Sequence, residues 1–421
     1  MTGSAADRTE RASAEWPTAL DVQQRADAGW RPTPFRQFIL KFQSRCNLAC
    51  NYCYIYELAD QTWRAQPRAM ASALVPAIAA RIAEHARAHQ IPSLRVIFHG
   101  GEPLLGGPGP ILNALRAIRS AVGTDVDVAG RVQTNGTLLR AELLDQFEEA
   151  GIRVGVSLDG DLAAHDRSRR YANGQGSYRA VARGLQLLRQ RPAVYSGLLC
   201  VADLRNDPIA TYEALLSFGP PLIDFHLPHG NWSSPPPGRN NDTTAPYAEW
   251  LIAIFDRWYG AEIRDTRIRL FEEIIHLVLG GMSSAEAVGL TPSSLIIIEA
   301  DGSIEQSDIL KSAYAGAAAT GLHVERNSFD EALRIPQIMA TQLGLAALSH
   351  ECDDCSVRKI CGAGLYAHRY RAGSGFLNRS VYCEDLYALI THIRQRVTHD
   401  IRTLGRADQN VACSSTSRSS R

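Results

Sequence analysis

Phe38-Ile39-Leu40-Lys41-Phe42 is followed within a few residues by Cys46-Asn47-Leu48-Ala49-Cys50-Asn51-Tyr52-Cys53, and these two runs decide the fold. The first is a short apolar run of strand length. The second puts three thiols in a loop at that strand's carboxyl end, which is where α/β sheets gather their ligands. Three cysteines in one loop can hold three irons of a four-iron cluster and leave the fourth without a protein ligand. Zinc instead favours four protein ligands in a structural site, or three plus water in a catalytic one, usually with His or carboxylate in the set. An iron left open is useful where a substrate or cofactor binds it.

Beyond the loop, strand-like and helical patterns alternate. Met70, Leu74, Val75, Ile78 and Ile82 lie at helical spacing within 70–89. Leu94–Phe98 reads as a strand before a helix over 110–121, Val126–Val132 before one over 138–149, and Val154–Leu158 before one over 177–190. Val194–Val201 precedes a helix near 208–217, and Ile223–His226 one over 244–259. Counting the first strand, six β-then-α units in a row predict an α/β chain whose parallel sheet carries its helices outside. Eight units would close a full barrel, so six predict a partial (β/α)6 one. The expected division is a flexible lead-in over 1–35, broken by Pro17, Pro32 and Pro34, a barrel over 36–260 and a bridging region over 261–350. A small cysteine-rich module with a C-terminal helix follows over 351–405, then a polar, Ser-rich disordered tail over 406–421.

The chain has 421 residues, 45% apolar and 21% charged, an ordinary globular composition. Lys and Arg number 44, as do Asp and Glu, so no electrostatic surplus exists to attract a nucleic acid. No apolar run reaches the ~18 residues of a membrane span. The opening residues lack the apolar segment of a secretory signal, and Asp7 and Glu10 argue against a mitochondrial one. The expected location is cytoplasmic, with neither nucleic acid nor membrane as partner. In that reducing compartment, nine clustered cysteines favour metal over disulfides.

Cys352-x2-Cys355-x5-Cys361 and Cys383 make a second, four-thiol set. Zinc ribbons share the Cys-x2-Cys element, so spacing alone leaves zinc open. Cys200, within Leu198-Leu199-Cys200-Val201, reads as a core thiol, and Cys413 as a bystander in the tail. The other candidates sit at strand ends: His99-Gly100-Gly101-Glu102-Pro103, Gln133-Thr134-Asn135-Gly136, Ser157-Leu158-Asp159-Gly160 with Arg169 beyond, and His226 with His229. Trp232 and Tyr366 either line an aromatic pocket or pack.

The Cys-x3-Cys-x2-Cys spacing, with Tyr52 directly before its last cysteine, resembles the signature of radical S-adenosylmethionine (SAM) enzymes. The resemblance implies that Cys46, Cys50 and Cys53 hold a 4Fe–4S cluster whose open iron binds SAM. One-electron cleavage of SAM then yields a 5′-deoxyadenosyl radical that abstracts an unactivated hydrogen, the cofactor carrying the hard step. Gly100, Gly101 and Glu102 resemble the segment that binds the methionine amino group. Ser157 and Arg169 match SAM-contacting positions, Tyr52 lies towards adenine, and Asn135 and Asp159 join the cofactor-binding set. The second cysteine set resembles the SPASM extension of radical SAM peptide modifiers, which implies that Cys352, Cys355, Cys361 and Cys383 ligate an auxiliary 4Fe–4S cluster. A full SPASM domain carries two auxiliary clusters. Here Leu365 and Ser307 stand where further ligand cysteines are common, so two clusters are expected in all, one SAM-binding and one auxiliary. Asp308 stands where some relatives, including anaerobic sulfatase maturases, place a catalytic Asp, a carboxylate suited to accept the proton lost after the radical step. Asp159 and Glu305 are further candidates for that role.

Cys53-Tyr54-Ile55-Tyr56-Glu57 and Cys361-Gly362-Ala363-Gly364-Leu365-Tyr366 resemble the FxsB-type branch of these maturases, and the likeness covers about residues 36–400. It implies a ribosomally synthesised precursor peptide as substrate. A β-hydrogen would be abstracted and the β-carbon joined to an aromatic ring as a cyclophane, with flavodoxin or ferredoxin as electron donor. Other radical SAM oxidations stay open: thioether or C–O crosslinks, or formylglycine formation in a sulfatase. So does a zinc-scaffold binding protein without activity.

Overall fold

Six strands, β1 (Gln37–Gln43), β2 (Ser93–Gly100), β3 (Asp127–Thr134), β4 (Ile152–Ser157), β5 (Tyr195–Val201) and β6 (Leu222–His226), pair in chain order and all in parallel. The structure is a computed structural model that describes residues 22–239 and 244–416, with 22–23 and 405–416 as backbone alone. A short helix, α1 (Val22–Asp27), lies within the expected lead-in. Residues 1–21, the rest of that segment, fall outside the described residues. The crossovers are α2 (Val75–Ala88), α3 (Pro108–Val122), α4 (Ala141–Glu149), α5 (Leu162–Ser168) with α6 (Tyr178–Arg189), and α7 (Pro208–Leu216); α8 (Pro246–Tyr259) follows β6.

Side-chain alternation explains the layering. Leu94, Val96 and Phe98 of β2 are at most 4% exposed and share one core with Ile78, Ile82 and Ile111 of the helices. Each such side chain contributes ~1.5–3 kcal/mol by leaving water. Arg95, Ile97 and His99 point to the opposite, inner face, as the two-residue period requires. Helix starts are set locally: the Asp161 and Asp207 side chains accept the Ala164 and Ala210 backbone N–H, and Pro208 and Pro246 open their helices where no intrahelical N–H is needed.

The sheet does not end with the six expected strands. A short β7 (Arg267–Ile268) extends it beyond β6, and α9 (Arg269–Val278) follows. The segment 261–350 then supplies β8 (Leu295–Ile298), β9 (Ser303–Glu305) and β10 (Ala319–His323), with α10 (Phe329–Ala332) and α11 (Pro336–Ala340) after them. β8 runs parallel to β1, while β9 and β10 return antiparallel, giving one open ten-stranded sheet in the order β10-β9-β8-β1-β2-β3-β4-β5-β6-β7. This pairing carries Asp308, just past β9, to the inner side of β1.

Residues 30–35 are not a loose lead-in. Phe35 is 1% exposed and donates its N–H to His85 Nε2, and Thr33 exchanges two hydrogen bonds with the Gln342 side chain. At the other end, α12 (Arg358–Cys361) is short and α13 (Cys383–Thr416) is long, packing on α8 and α9. The helix runs past residue 405, where disorder was expected. No proline interrupts 405–416, and extending an existing helix gains a hydrogen bond per residue. Residues 417–421 of the expected tail lie outside the described residues. Among the described residues, no helix is long and apolar enough to cross a membrane.

Candidate active site

The cysteine loop leaves the carboxyl end of β1 and is pinned from both sides. Gly101 N–H donates to Gln43 O at 2.7 Å, Glu102 N–H to Arg45 O at 3.0 Å, and Ser44 N–H to Arg68 O at 3.0 Å. The Arg45 guanidinium donates to the Ser44 and Trp63 carbonyls and lies 5.1 Å over the Trp63 ring. A side chain at Gly101 would collide with the Tyr56 hydroxyl and the Arg45 carbonyl, so this glycine is fixed by close approach to the cysteine loop.

All three loop thiols are free and partly buried. Burial pushes Cys46 up to about 12, and raises Cys50 and Cys53 as well. Left to themselves they would be neutral thiols; a metal would hold them as thiolates. The Asn135 amide lies 3.6 Å from Cys46 Sγ, and the Arg169 charge favours the Cys50 thiolate. A lone tetrahedral ion gathers its ligand atoms tightly around itself, with metal–ligand bonds near 2 Å. Among the described residues, the group whose ligand atoms close within 4.8 Å of one another is His85, His89 and Asp330, on neither cysteine set. The open triplet of thiols fits a multi-iron cluster better than a single zinc.

Glu102 is fully buried, and desolvation raises its pKa. Its Oε1 accepts Leu104 N–H at 3.0 Å and Thr134 Oγ1–H at 2.7 Å, and its Oε2 accepts Asn135 N–H at 2.7 Å. The carboxylate thus ties the ends of β2 and β3 together, with one acceptor direction left on Oε2. Across the sheet, Tyr52 Oη donates to Asp159 Oδ2 and accepts from Arg169 Nη1 at 2.6 Å. Asp159 Oδ1 accepts Val201 N–H at 3.1 Å. Arg169 Nε is buried without a partner. Ser157 Oγ, at the end of β4, accepts from Gln133 at 3.1 Å. Fold positions therefore bring Tyr52, Asn135, Asp159 and Arg169 around the cysteine loop, and the orphaned Arg169 donor suits an anionic or hydroxyl-bearing ligand.

Asp308 is 6% exposed and forms a buried ion pair with Lys41 of β1. Tyr54 Oη donates to the same carboxylate oxygen at 3.1 Å, and Lys41 Nζ lies 3.2 Å from His99 Nδ1. Against the cost of burial, Lys41 and its neighbours hold the Asp308 carboxyl well below the usual range. Desolvation, then Lys41, lowers His99 to about 4, so its neutral Nδ1 accepts from the ammonium. The Tyr54 ring meets His229 at 4.8 Å, and His229 meets His368 at 5.8 Å. His99 opens a strand-end run legible in the sequence, whereas Lys41, Tyr54 and His368 carry no such strand-end signal. Lys41 was legible as the one charge in Phe38–Phe42, at an inward position two residues from Ile39.

The second thiol set assembles around α12 and the start of α13. Cys361 is pushed up to about 12 and Cys383 to about 11 by burial, each also feeling the Cys352 charge. Arg369 donates to the carbonyls of Gly362, Ala363 and Gly364, clamping the turn after Cys361. Gly362 has φ +60°, and a Cβ there would strike the Gly289 carbonyl. Ser307 and Leu365 line one cavity of about 80 Å³ with Gln306, so the two positions that lack a cysteine face the same space.

Several other candidates have partners within the protein. Cys200 is fully buried in the core. Glu305 pairs with Lys311 at 2.8 Å beside Glu299, and the Lys311 charge in turn favours the ionised Asp308 carboxylate. Trp232 donates to Arg379 O at 2.7 Å and lies beneath Arg371, while Arg369 covers Tyr366. His226 pairs with Asp224 at 3.4 Å. In the His85 group, Nε2 accepts from Phe35, so Nδ1 carries the proton it gives to Asp330; that arrangement is a staple between α2 and α10 rather than a ligand set.

Residues 40–204 match the radical SAM superfamily. The chain is similar to the cysteine-type anaerobic sulfatase-maturating enzyme of Clostridium novyi, 24% identical over 86% of this chain and 96% of that one. It is 26% identical to the serine-type enzyme of Klebsiella aerogenes over 83% and 84%. Among solved structures, native anSMEcpe with bound AdoMet superposes with a TM-score of 0.75 at 20% identity, covering 86% of this chain and 98% of that chain. Streptococcus suis SuiB bound to its precursor peptide SuiA reaches 0.56 at 14%, covering 86% and 78%. Both superpositions report the shared α/β fold. The superfamily matched over residues 40–204 is one whose chemistry uses SAM and a 4Fe–4S cluster.

Proposed function

We propose that the chain is a radical SAM peptide maturase that oxidises the β-carbon of a residue in a ribosomally made precursor and joins it to a nearby aromatic ring. The observation that carries this reading is the buried Asp308–Lys41–Tyr54 group on the inner wall beside the cysteine loop. Cys46, Cys50 and Cys53 would hold the SAM-binding cluster, with Gly100, Gly101, Glu102, Asn135, Ser157, Asp159, Arg169 and Tyr52 around SAM. When bound, SAM supplies the radical that removes the β-hydrogen. Asp308, kept ionised by Lys41, would accept the proton shed when the ring regains aromaticity. Tyr54 Oη, hydrogen-bonded to that carboxylate, orients it. Cys352, Cys355, Cys361 and Cys383 would hold one auxiliary 4Fe–4S cluster as electron acceptor. A flavodoxin or ferredoxin is the proposed reductant, and the cytoplasm, where thiols stay reduced, the proposed setting.

A second reading, formylglycine formation on a sulfatase-type protein, is favoured by the sulfatase-maturating relatives, which align over most of both chains. Both readings begin at a β-carbon. They separate on product chemistry: an aldehyde is trapped by a hydrazide reagent, whereas a carbon–carbon crosslink is inert to it and blocks backbone fragmentation between the joined residues. The test is anaerobic reconstitution, reduction and incubation with candidate peptides. Failure of SAM cleavage in the wild type, or its persistence in Cys50→Ala, removes the proposal. Hydrazide-reactive product transfers it to the second reading.

A further inference from the structure

Below the Asp308 level, the inner face of the sheet is strongly basic. Arg95, Arg131 and Arg153 lie on that face of β2, β3 and β4, opposite the buried Val96, Val132 and Val154. In the ladder Arg131 stands directly across from Ile97 on one side and Arg153 on the other. His99, which meets Lys41, is the next inward residue along β2, ~6.6 Å higher at the rise of a strand. Arg269, the first residue of α9, joins the group beyond β6.

Little compensates this charge. Asp224 of β6 is ion-paired with Arg269 at 3.1 Å and with His226. Asp127 sits at the rim where β3 begins. Arg153 gives one hydrogen bond to Tyr195 O at 2.9 Å. Arg95 reaches only Gln37 at 3.4 Å, and its Nε is buried without a partner. Among the described residues the Arg131 side chain forms no hydrogen bond or ion pair. Half-burial, then the three neighbouring guanidiniums, pulls it down to about 10. A cavity of about 440 Å³ opens beside Arg95 at the foot of the sheet, walled also by Arg36, Gln37 and two acids, Asp127 and Glu286. Guanidiniums partly withdrawn from water and facing one another cost free energy that an anion would offset. Their planar forks match two oxygens of one ligand.

We propose that Arg95, Arg131 and Arg153 form an oxyanion-binding site on the inner face of the sheet, filled by a carboxylate of the peptide substrate or by a free dianion. The peptide source rests on the maturase reading; the site itself does not.

The test uses the anaerobically reconstituted holoprotein, melted while sodium sulfate is titrated against sodium chloride at equal ionic strength. Sulfate should raise the wild-type melting temperature saturably. Arg131→Leu should melt higher than wild type without sulfate, because repulsion is relieved, and should lose most of the sulfate increment. Should that variant not fold, Arg153→Gln, at an exposed position, carries the same comparison. An equal sulfate increment in wild type and variant overturns the site. In the second arm, acidic peptides are compared with their amidated counterparts. A KM rise of about tenfold on amidation assigns the carboxylate source. A saturable sulfate increment without that discrimination assigns the free dianion. The absence of any peptide turnover counts against the maturase reading and leaves the sulfate result intact.

Discussion

Asp308→Asn separates the structural from the chemical role of the buried pair. Lys41 and Asp308 side chains are 2% and 8% exposed, so the ammonium cannot turn to water when its counter-charge is removed. Its remaining acceptor is the neutral Nδ1 of His99 at 3.2 Å. Removing one partner of such a pair costs roughly 3–5 kcal/mol, most of it the penalty for an unpaired buried charge. In a chain of this size that lowers the melting temperature by roughly 3–6 °C. Lys41→Met combined with Asp308→Asn removes both charges, keeps the unbranched stem, and should restore most of the loss. The assay is paired: melting curves, and peptide turnover with 5′-deoxyadenosine release. If Asp308 is the proton acceptor, the double variant regains stability but not product. Product regained with stability would make Asp308 a purely structural ion. A single variant that melts like wild type and turns over normally would refute the whole argument.

Glu102→Gln turns an amide NH2 towards one of three N–H or O–H donors, so it should cost about 1–3 kcal/mol and weaken SAM binding, read by calorimetry. Gly362→Ala forces a side chain into the Gly289 carbonyl at positive φ, and should lower auxiliary iron content with a stability loss of at least ~1–3 kcal/mol, measured by iron analysis and melting. His165 is held neutral, at about 3, by burial and then by Arg169. Its folded pKa lies below the unfolded ~6.5, so its contribution is complete above pH 6.5 and shrinks as pH falls, by ~2 kcal/mol at pH 5. His165→Asn should flatten the melting temperature between pH 7.5 and 5; an unchanged slope contradicts the assignment.

The parallel core was legible because each strand is a short apolar run followed by a helix with its own periodicity. The cysteine loop was legible because its spacing is local. What escaped had no local signal. β8, Leu295-Ile296-Ile297-Ile298, is four apolar residues whose partner β1 lies more than 250 residues earlier, and only tertiary pairing reveals it. The Lys41–Asp308 pair spans |i−j| of 267 for the same reason. Glu102 reads as a ligand-facing acid in sequence, yet its carboxylate is largely committed to three protein donors. Tyr54 and His368 look like ordinary aromatic and loop residues until the ring contacts with His229 join them.

Because β8 is hydrogen-bonded to β1, the strand that bears the cysteine loop has neighbours drawn from both ends of the chain. Excising the first 260 residues as a stand-alone unit would strip β1 of one flank, leaving an open row of amides and carbonyls prone to pairing with another molecule. It would also strand Lys41 without its carboxylate. The amino-terminal half must wait for residues made much later before its own first strand is complete, which predicts slow, long-range assembly and poor yield from truncated expression.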